Sequence, residues 1–489
     1  MLAKVVCHAR PLSKDALTKL THLLVVMPSG KVLPPDVSGG DVLQKLLVRR
    51  KMQPIELSGV AVSGELGPGG LVAWVMVDFD KSVFERQTII RKALQLLLME
   101  APTALDIVVM GPEAQRREAA EIAVYCALVN GKPLPVRKKS NGERALKAIA
   151  VHGASEVKAF VKVSAIAEGN HLCRSLTVSP PNELTPRSYR RQIAALAKEN
   201  GWKREEFGTK KLMEMGAGAF MAVAQGSPDK DAAIVHLRYT HKQAKRTIAL
   251  VGKGICFDTG GHNLKPARGM LGMHRDMNGS AVALGILTAV TRLKLPVNID
   301  CWLAIAQNHL SPAAYKQGDI VKALNGTTIE IMHTDAEGRM VLADTLTLAA
   351  RQKPAAIIDF ATLTGSMMYS LGNRYSGIFS ASDDLMVEAL SAGRGSGERV
   401  NPFPLDADYD EALKSDVADI KQCLIAGEAD HIIAARFLLK FAEGVPWMHV
   451  DLSAADCDGG LGAIASQTTG FGVSWGVEMV ARLMNKMPK

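Results

Sequence analysis

The 489-residue sequence has few cysteines and no long apolar run. Its seven cysteines are scattered, and none forms a CxxC pair, which argues against a disulfide framework or a zinc knuckle and fits a reducing cytosol. Charges at Lys4, Arg10 and Lys14 leave no room for the apolar part of a signal peptide. The uncharged stretch 459–477 is rich in glycine, serine and threonine and does not resemble a membrane span. We therefore expect a cytoplasmic protein with no membrane partner.

The positive charge is concentrated in the first third of the chain. The formal net charge is +9. Residues 1–165 contain 23 basic and 15 acidic residues, whereas the remainder contains 35 basic and 34 acidic residues. Such an excess is typical of a solubilising surface, and it also fits an anionic partner such as DNA.

The pattern of apolar residues predicts an α/β fold with two domains. We expect residues 1–165 to form a small basic α/β domain, suited to assembly or regulation, and residues 166–489 to form a larger α/β domain that carries the candidate catalytic residues. In the second domain strands and helices alternate, which predicts a mixed, mostly parallel central sheet flanked by helices. The predicted strands are 246–251, 298–305, 355–360 and 447–452, and the predicted helices include 278–293 and 338–351.

Four carboxylates stand next to predicted strand ends or helix starts. Asp258 lies in the glycine-rich segment GKGICFDTGGHNLKP at 252–266, Asp276 follows it, and Asp335 and Glu337 lie in HTDAEGRM at 333–340. Clustered carboxylates repel one another and raise their own pKa values unless cations neutralise them. They suit divalent ions such as Mg, Mn or Zn. Two such ions close together form a hydrolytic site with a bridging hydroxide.

These segments suggest three other interpretations. Taken alone, the TDAEG run could begin a helix, with Thr334 or Asp335 as the N-cap and Glu337 in the first turn. A nucleotide-binding P-loop does not fit, because no glycine precedes Gly252-Lys253 at the required spacing. The neighbouring histidines, which are His262, His274 and His333, could be additional metal ligands.

The segments resemble the leucyl aminopeptidase family, also called cytosol aminopeptidases. HTDAEGRM is similar to the signature Asn-Thr-Asp-Ala-Glu-Gly-Arg-Leu of that family, and GKGICFDTGG followed by Lys265 and Asp276 is similar to its metal-binding segment. ATLTG at 361–365 and SPPNELTP at 179–186 also resemble family segments. The resemblance covers about residues 166–480. It implies a metal-dependent aminopeptidase, with Mn²⁺ or Zn²⁺ as the two ions in each subunit.

Residue by residue, the resemblance implies a complete site. One metal ion would be held by Lys253, Asp258, Asp276 and Glu337, and the other by Asp258, Asp335 and Glu337. Lys265 would polarise the scissile carbonyl. Arg339 would hold a bicarbonate ion that acts as the general base. The first side-chain pocket would be bordered by Met273, Thr362 and Gly365.

The resemblance also implies the substrates and the assembly. Peptides with a free N-terminus would be the substrates, with Leu or Met preferred, because the substrate's α-amino group binds a metal ion. The family assembles as a homohexamer. The chain departs from the family pattern at Gln307, Gln317, His333, Met340 and Ser453. Two competing functions remain at this stage, namely a DNA-binding regulatory or architectural hexamer and a catalytically weak homologue kept for assembly.

Overall fold

A computed structural model describes residues 2–67, 69–139, 144–154 and 157–486. The chain forms two compact units. Unit one contains the described residues of Met1–His171 together with Arg394–Glu398 and Cys457–Thr469. Unit two contains Leu172–Gly393, Arg399–Asp456 and the described residues of Gly470–Lys489. The domain boundary at 165/166 stays a prediction.

Unit one is built on a six-stranded sheet whose strand order is β1-β6-β5-β2-β4-β3. Its strands are β1 Lys4–His8, β2 His22–Pro28, β3 Val62–Glu65, β4 Leu71–Val77, β5 Ala104–Val109 and β6 Ala148–His152. All neighbouring pairs are parallel except β3–β4. The helices are α1 Lys14–Leu17, α2 Gly40–Arg50, α3 Val83–Leu98 and α4 Glu113–Asn130, and α5 Val161–Thr177 runs from unit one into unit two.

Unit two is built on an eight-stranded sheet whose strand order is β15-β14-β17-β13-β9-β10-β8-β7. Its strands are β7 Lys203–Gly208, β8 Ala233–Tyr239, β9 Thr247–Asp258, β10 Asn298–Asn308, β13 Ala356–Ala361, β14 Ser376–Phe379, β15 Val400–Pro402 and β17 Trp447–Asp451. Four strand pairs are parallel, namely β15–β14, β17–β13, β13–β9 and β9–β10, and three are antiparallel. The predicted mixed, mostly parallel sheet is confirmed.

The remaining elements of unit two surround this sheet. A three-stranded sheet contains β11 Ile320–Lys322, β12 Thr328–Glu330 and β16 Ile420–Lys421. The helices are α6 Pro186–Asn200, α7 Thr209–Met215, α8 Gly218–Ala224, α9 Ala267–Met270, α10 Asn278–Leu293, α11 Glu337–Ala350, α12 Gly365–Leu371, α13 Asp383–Ser396 (whose last residues belong to unit one), α14 Asp430–Leu439 and α15 Val473–Lys486. Among the described residues, none of the helices combines the length and the apolar character that a membrane span needs.

Helices α10 and α11 both pack on β9, the strand at the centre of the site. Every residue of α11 is buried, and so is nearly every residue of α10. Both helices are covered on all sides, which agrees with their largely apolar sequences. Their first residues therefore lie close to the carboxyl end of β9, which is where ligands bind in parallel α/β sheets.

Candidate active site

Strand β9 supplies two of the predicted metal ligands. Lys253 lies near its middle and Asp258 is its last residue, and both side chains are buried. The apolar residues that precede Lys253 pair with β10 on one side and β13 on the other. A buried strand with a lysine and an aspartate toward its carboxyl end is costly unless those charges have partners.

The turn after β9 returns the chain to Asp258. Gly260 has φ +85°, and a Cβ atom there would lie 2.4 Å from the carbonyl oxygen of Asn263, so a side chain does not fit. The Gly260 N–H donates to Asp258 Oδ1 at 2.8 Å. The same turn presents Lys265, whose backbone N–H donates to the carbonyl of Thr259 at 3.0 Å.

Two helix starts supply the other acids. Asp276 precedes α10 and accepts a hydrogen bond from Thr362 Oγ1 at 2.7 Å. Asp335 precedes α11, and Glu337 is its first residue. The helix is capped by Ala336 without a side-chain hydrogen bond, so the interpretation of Thr334 or Asp335 as a cap is wrong. A Cβ atom at Gly338 would lie 2.7 Å from Lys253 Nζ, so this glycine lets β9 and α11 come together.

The two lysines pair with all four acids. Lys253 Nζ lies 2.8 Å from Asp276 Oδ2 and 2.9 Å from Glu337 Oε1. Lys265 Nζ lies 2.9 Å from Asp258 Oδ2 and 2.5 Å from Asp335 Oδ1. The second oxygen of Glu337, Oε2, is buried and has no hydrogen-bond partner among the described residues. Oxygen atoms of Asp258, Asp335 and Glu337 lie within 4.8 Å of one another, as a metal site requires.

The crowding of acids shifts their ionisation. Burial raises the pKa of Asp276 to about 8 and that of Asp335 to about 7, and repulsion from neighbouring acids adds to both shifts. Burial and the charge of Asp258 raise the pKa of Glu337 as well. Burial works to lower the pKa of Lys253, but the surrounding carboxylates outweigh it and raise that pKa. The cluster therefore attracts positive charge strongly.

Asn308 and Thr334 fix the acids in place, although the sequence assigns Asn308 no role and predicts Thr334 only as a possible helix cap. Asn308 is the last residue of β10, and its Nδ2 donates to Asp258 Oδ1 at 2.8 Å and to the Thr334 carbonyl at 3.0 Å. Thr334 Oγ1 donates to the Gly260 carbonyl at 2.6 Å. These bonds join the β9 turn to the start of α11. Asn308 follows a predicted strand, and this position is the signal that could have identified it.

One cavity of about 560 Å³ in unit two collects every predicted site residue. It is lined by the proposed metal ligands Lys253, Asp258, Asp276, Asp335 and Glu337, by Lys265 and Arg339, and by the pocket residues Met273, Thr362 and Gly365. Apolar lining comes also from Leu363, Met368 and Ile425. Nothing lies within 4 Å of the place where a Cβ atom of Gly365 would stand, so the wall there is open.

Two acids that sequence reasoning did not place in the site also line the cavity. Asp451 ends β17 and accepts hydrogen bonds from the Leu363 N–H at 3.1 Å and from Thr364 Oγ1 at 2.7 Å. Asp430 begins α14 and accepts two hydrogen bonds from Arg339 Nη2, at 2.8 and 3.0 Å. The position of Asp451 at a strand end was a usable signal, whereas Asp430 carried none.

The three candidate histidines do not join the carboxylate cluster. His262 is exposed. His333 lines the cavity, whereas neither His262 nor His274 is among the described lining residues. The Nδ1 atom of His333 accepts the Asp335 N–H at 3.2 Å, so that nitrogen orients a neighbouring backbone.

The other departures from the family pattern have local structural partners. Gln307 Oε1 bonds His309 Nε2 at 2.8 Å, and Gln317 Nε2 donates to the Met332 carbonyl at 2.7 Å. Ser453 Oγ donates to the Tyr375 carbonyl at 2.6 Å. Met340 is fully buried in α11. None of the four replaces one of the predicted metal ligands.

Comparison with known proteins gives a consistent result. Residues 171–476 match the family model of the cytosol aminopeptidase family, catalytic domain. A probable cytosol aminopeptidase of Acidovorax sp. (strain JS42) is 37% identical over 461 residues, which are 92% of this chain and 90% of the relative. One of Pseudomonas fluorescens (strain SBW25) is 46% identical over 298 residues, and this match spans 60% of the length of each protein.

Two solved structures have the same fold. The bottromycin maturation enzyme BotP in complex with Mn superposes with a TM-score of 0.82 at 30% sequence identity, covering 95% of this chain and 100% of that chain. A second structure of BotP gives a TM-score of 0.81, again at 30% identity.

Proposed function

This chain belongs to the cytosol aminopeptidase family, and we propose that it is a metal-dependent aminopeptidase that removes N-terminal residues from peptides. The observation that carries the proposal is the group formed by the buried Asp258 and Glu337 and the half-buried Asp335, whose ligand oxygens lie within 4.8 Å of one another. Such a group fits divalent cations, because buried carboxylates need positive charge.

Five residues would hold two ions. Lys253, Asp258, Asp276 and Glu337 would bind one, and Asp258, Asp335 and Glu337 would bind the other. The fit is supported by Glu337 Oε2, a buried acceptor without a hydrogen-bond partner among the described residues, and by the acids whose oxygens contact lysine ammonium groups. When bound, the ions would activate the attacking water as a bridging hydroxide and polarise the peptide carbonyl. Mn²⁺ and Zn²⁺ both suit these ligands, and the complex of BotP with Mn supports manganese.

The two lysines have different tasks. Lys253 is 3% exposed and would be a ligand only as a neutral amine, so metal binding must release its proton. Lys265 is more open to the cavity, with 16% of its side chain exposed. It would keep its charge and donate to the carbonyl oxygen of the substrate as negative charge develops there.

The cavity supports a preference for apolar N-terminal residues. Met273 and Met368 place flexible thioethers on its wall, and Leu363 adds a branched aliphatic side chain. Such walls adapt to Leu or Met side chains. The open space beside Gly365 leaves room for a branched side chain.

The proposal includes the cellular location and the oligomeric state of the enzyme. We assign it to the cytoplasm and to a homohexamer, as the family resemblance implies. Binding of DNA rests only on the charge of residues 1–165 and gains no support from the relatives. The departures at Gln307, Gln317 and Ser453 are compatible with activity, because each makes local hydrogen bonds outside the carboxylate cluster.

The test is hydrolysis of leucine p-nitroanilide by metal-stripped protein before and after addition of Mn²⁺ or Zn²⁺. We expect activity only after metal addition and only on the free-amine substrate. N-acetyl-leucine p-nitroanilide is the matched control, since its blocked amine cannot bind a metal ion. Equal hydrolysis of both substrates, or no hydrolysis with either metal, would rule out the proposed reaction.

A further inference from the structure

The guanidinium of Arg339 is already paired within the chain. Its side chain is 2% exposed, and Nη1 donates to the Gln422 carbonyl at 3.1 Å. Nη2 donates to both carboxylate oxygens of Asp430, at 2.8 and 3.0 Å. The remaining nitrogen, Nε, is buried and has no hydrogen-bond partner among the described residues. Two of the three guanidinium nitrogens are therefore bonded within the chain, and a second anion would compete with Asp430 for Nη2.

Asp430 reaches Arg339 from a separate part of the fold. The preceding residue, Ala429, has φ +49°, and this left-handed turn redirects the chain at the start of α14. The Asp430 side chain is 23% exposed, and it lines the same cavity as Asp335 and Glu337. The Asp430 carboxylate thus binds the buried guanidinium of Arg339 and also lines the cavity of the proposed active site.

This arrangement does not fit the bicarbonate ion that the family resemblance implies at Arg339. Carboxylate and bicarbonate are both planar anions that present two oxygens, so they compete for the same N–H donors. A buried guanidinium needs an anion, and Asp430 already supplies one through both of its carboxylate oxygens.

We propose that the Asp430 carboxylate takes the place of bicarbonate and that this enzyme works without it. The proposal rests on the aminopeptidase function proposed above. In that place the carboxylate accepts a proton from the attacking water as the new C–O bond forms. It returns this proton to the leaving nitrogen as the C–N bond breaks, so the carboxylate ends unchanged.

The test measures bicarbonate binding to the metal-stripped full-length protein by isothermal titration calorimetry in CO₂-free buffer. We expect no saturable binding to the wild type and saturable binding to Asp430→Ala, in which the anion position is vacated. Aminopeptidase activity is measured in parallel with Mn²⁺ restored. The wild-type rate should be the same with and without bicarbonate. The Asp430→Ala rate should fall by about 10²-fold and recover in part when bicarbonate is added.

Two further variants make the result specific. Asp430→Asn keeps the volume of the side chain but removes its charge, so it should lose activity without being rescued by bicarbonate. Asp410→Ala is the matched control, because Asp410 also binds an arginine, Arg436, at 2.8 and 2.7 Å but is not among the lining residues of the cavity. Its activity should equal that of the wild type with and without bicarbonate, because Asp410 does not line the cavity.

Saturable bicarbonate binding to the wild type, with loss of activity on bicarbonate removal, would overturn the proposal. So would a folded Asp430→Ala protein that neither binds bicarbonate nor is rescued by it. If Asp430→Ala does not fold, binding to the wild type decides. A wild type without aminopeptidase activity would count against the proposed function, while the calorimetry would still report which anion Arg339 holds.

Discussion

Both large sheets contain neighbouring parallel strands, but the residues at the carboxyl ends of those strands differ in their chemistry. In unit one, parallel strands β2, β4 and β5 end at Pro28, Val77 and Val109. In unit two, β9 and β17 end at Asp258 and Asp451. Strands β1 and β6 of unit one end at the ionisable residues His8 and His152, whose rings stack on each other. Among the described residues, however, a cluster of carboxylates that could hold a metal ion is found in unit two. The fold determines where the carboxyl ends of the strands lie, and the residues at those ends determine which reaction the site can support.

Asp258→Ala is the substitution with the largest expected effect on metal binding and activity in unit two. The change removes a ligand proposed for both metal ions and leaves Lys265 with one fewer carboxylate partner. We expect loss of detectable leucine p-nitroanilide hydrolysis and loss of bound metal, measured by plasma mass spectrometry of the purified protein. Circular dichroism serves as the control for folding. A folded Asp258→Ala protein that keeps its full metal content would contradict the assignment.

Lys265→Ala should have the next largest effect. Loss of one donor to the developing oxyanion lowers turnover by about 10²–10³-fold, with metal retained because Lys265 is not a proposed ligand. The measurement is kcat on leucine p-nitroanilide together with metal content. Full activity in this variant would show that another group polarises the carbonyl.

Asn308→Ala tests whether the strand end of β10 belongs to the same site. Its amide donates to Asp258 Oδ1 and to the Thr334 carbonyl, so its loss should lower metal affinity or activity by about 10–100-fold. Activity titrated against Mn²⁺ reports the shift. Unchanged metal affinity and activity would mean that Asp258 is held in position without Asn308.

Asp106→Ala in unit one should have the smallest effect. Asp106 Oδ1 lies 2.7 Å from His152 Nε2, and loss of this hydrogen bond should reduce the free energy of unfolding by about 1 kcal/mol. The value of kcat should not change. Thermal melting and kcat together test this expectation, and a large fall in kcat would show that the contrast between the two sheets is false.

Much of unit two could be predicted because its apolar runs are short and regular. Helix α10 was predicted at 278–293 and is observed at Asn278–Leu293. Strand β9 was predicted at 246–251 but continues to Asp258. The apolar run is interrupted at Gly252, Lys253 and Gly254, and these residues remain in the strand because β10 pairs with them. The local pattern of apolar residues cannot predict this pairing between β9 and β10, because the two strands are distant in sequence.

The candidate site could be predicted only where its functional residues lie close together in the sequence. Asp258 and Lys265 are close in sequence, as are Asp335 and Glu337. Asp430 is 91 residues from Arg339, and nothing in the neighbouring sequence indicates that the two meet. Long-range pairing of this kind depends on how α14 packs beside α11. Because the sequence does not reveal this pairing, the expectation of bicarbonate at Arg339 differs from the geometry that the structure shows there.

The most direct test of the central claim is a titration of metal-stripped protein with Mn²⁺ while leucine p-nitroanilide hydrolysis and bound metal are both measured. The account predicts that activity rises with metal and reaches its plateau at two bound ions per chain. Full activity in the stripped protein, or a plateau that Asp258→Ala reproduces, would contradict a two-metal site at the carboxyl end of β9.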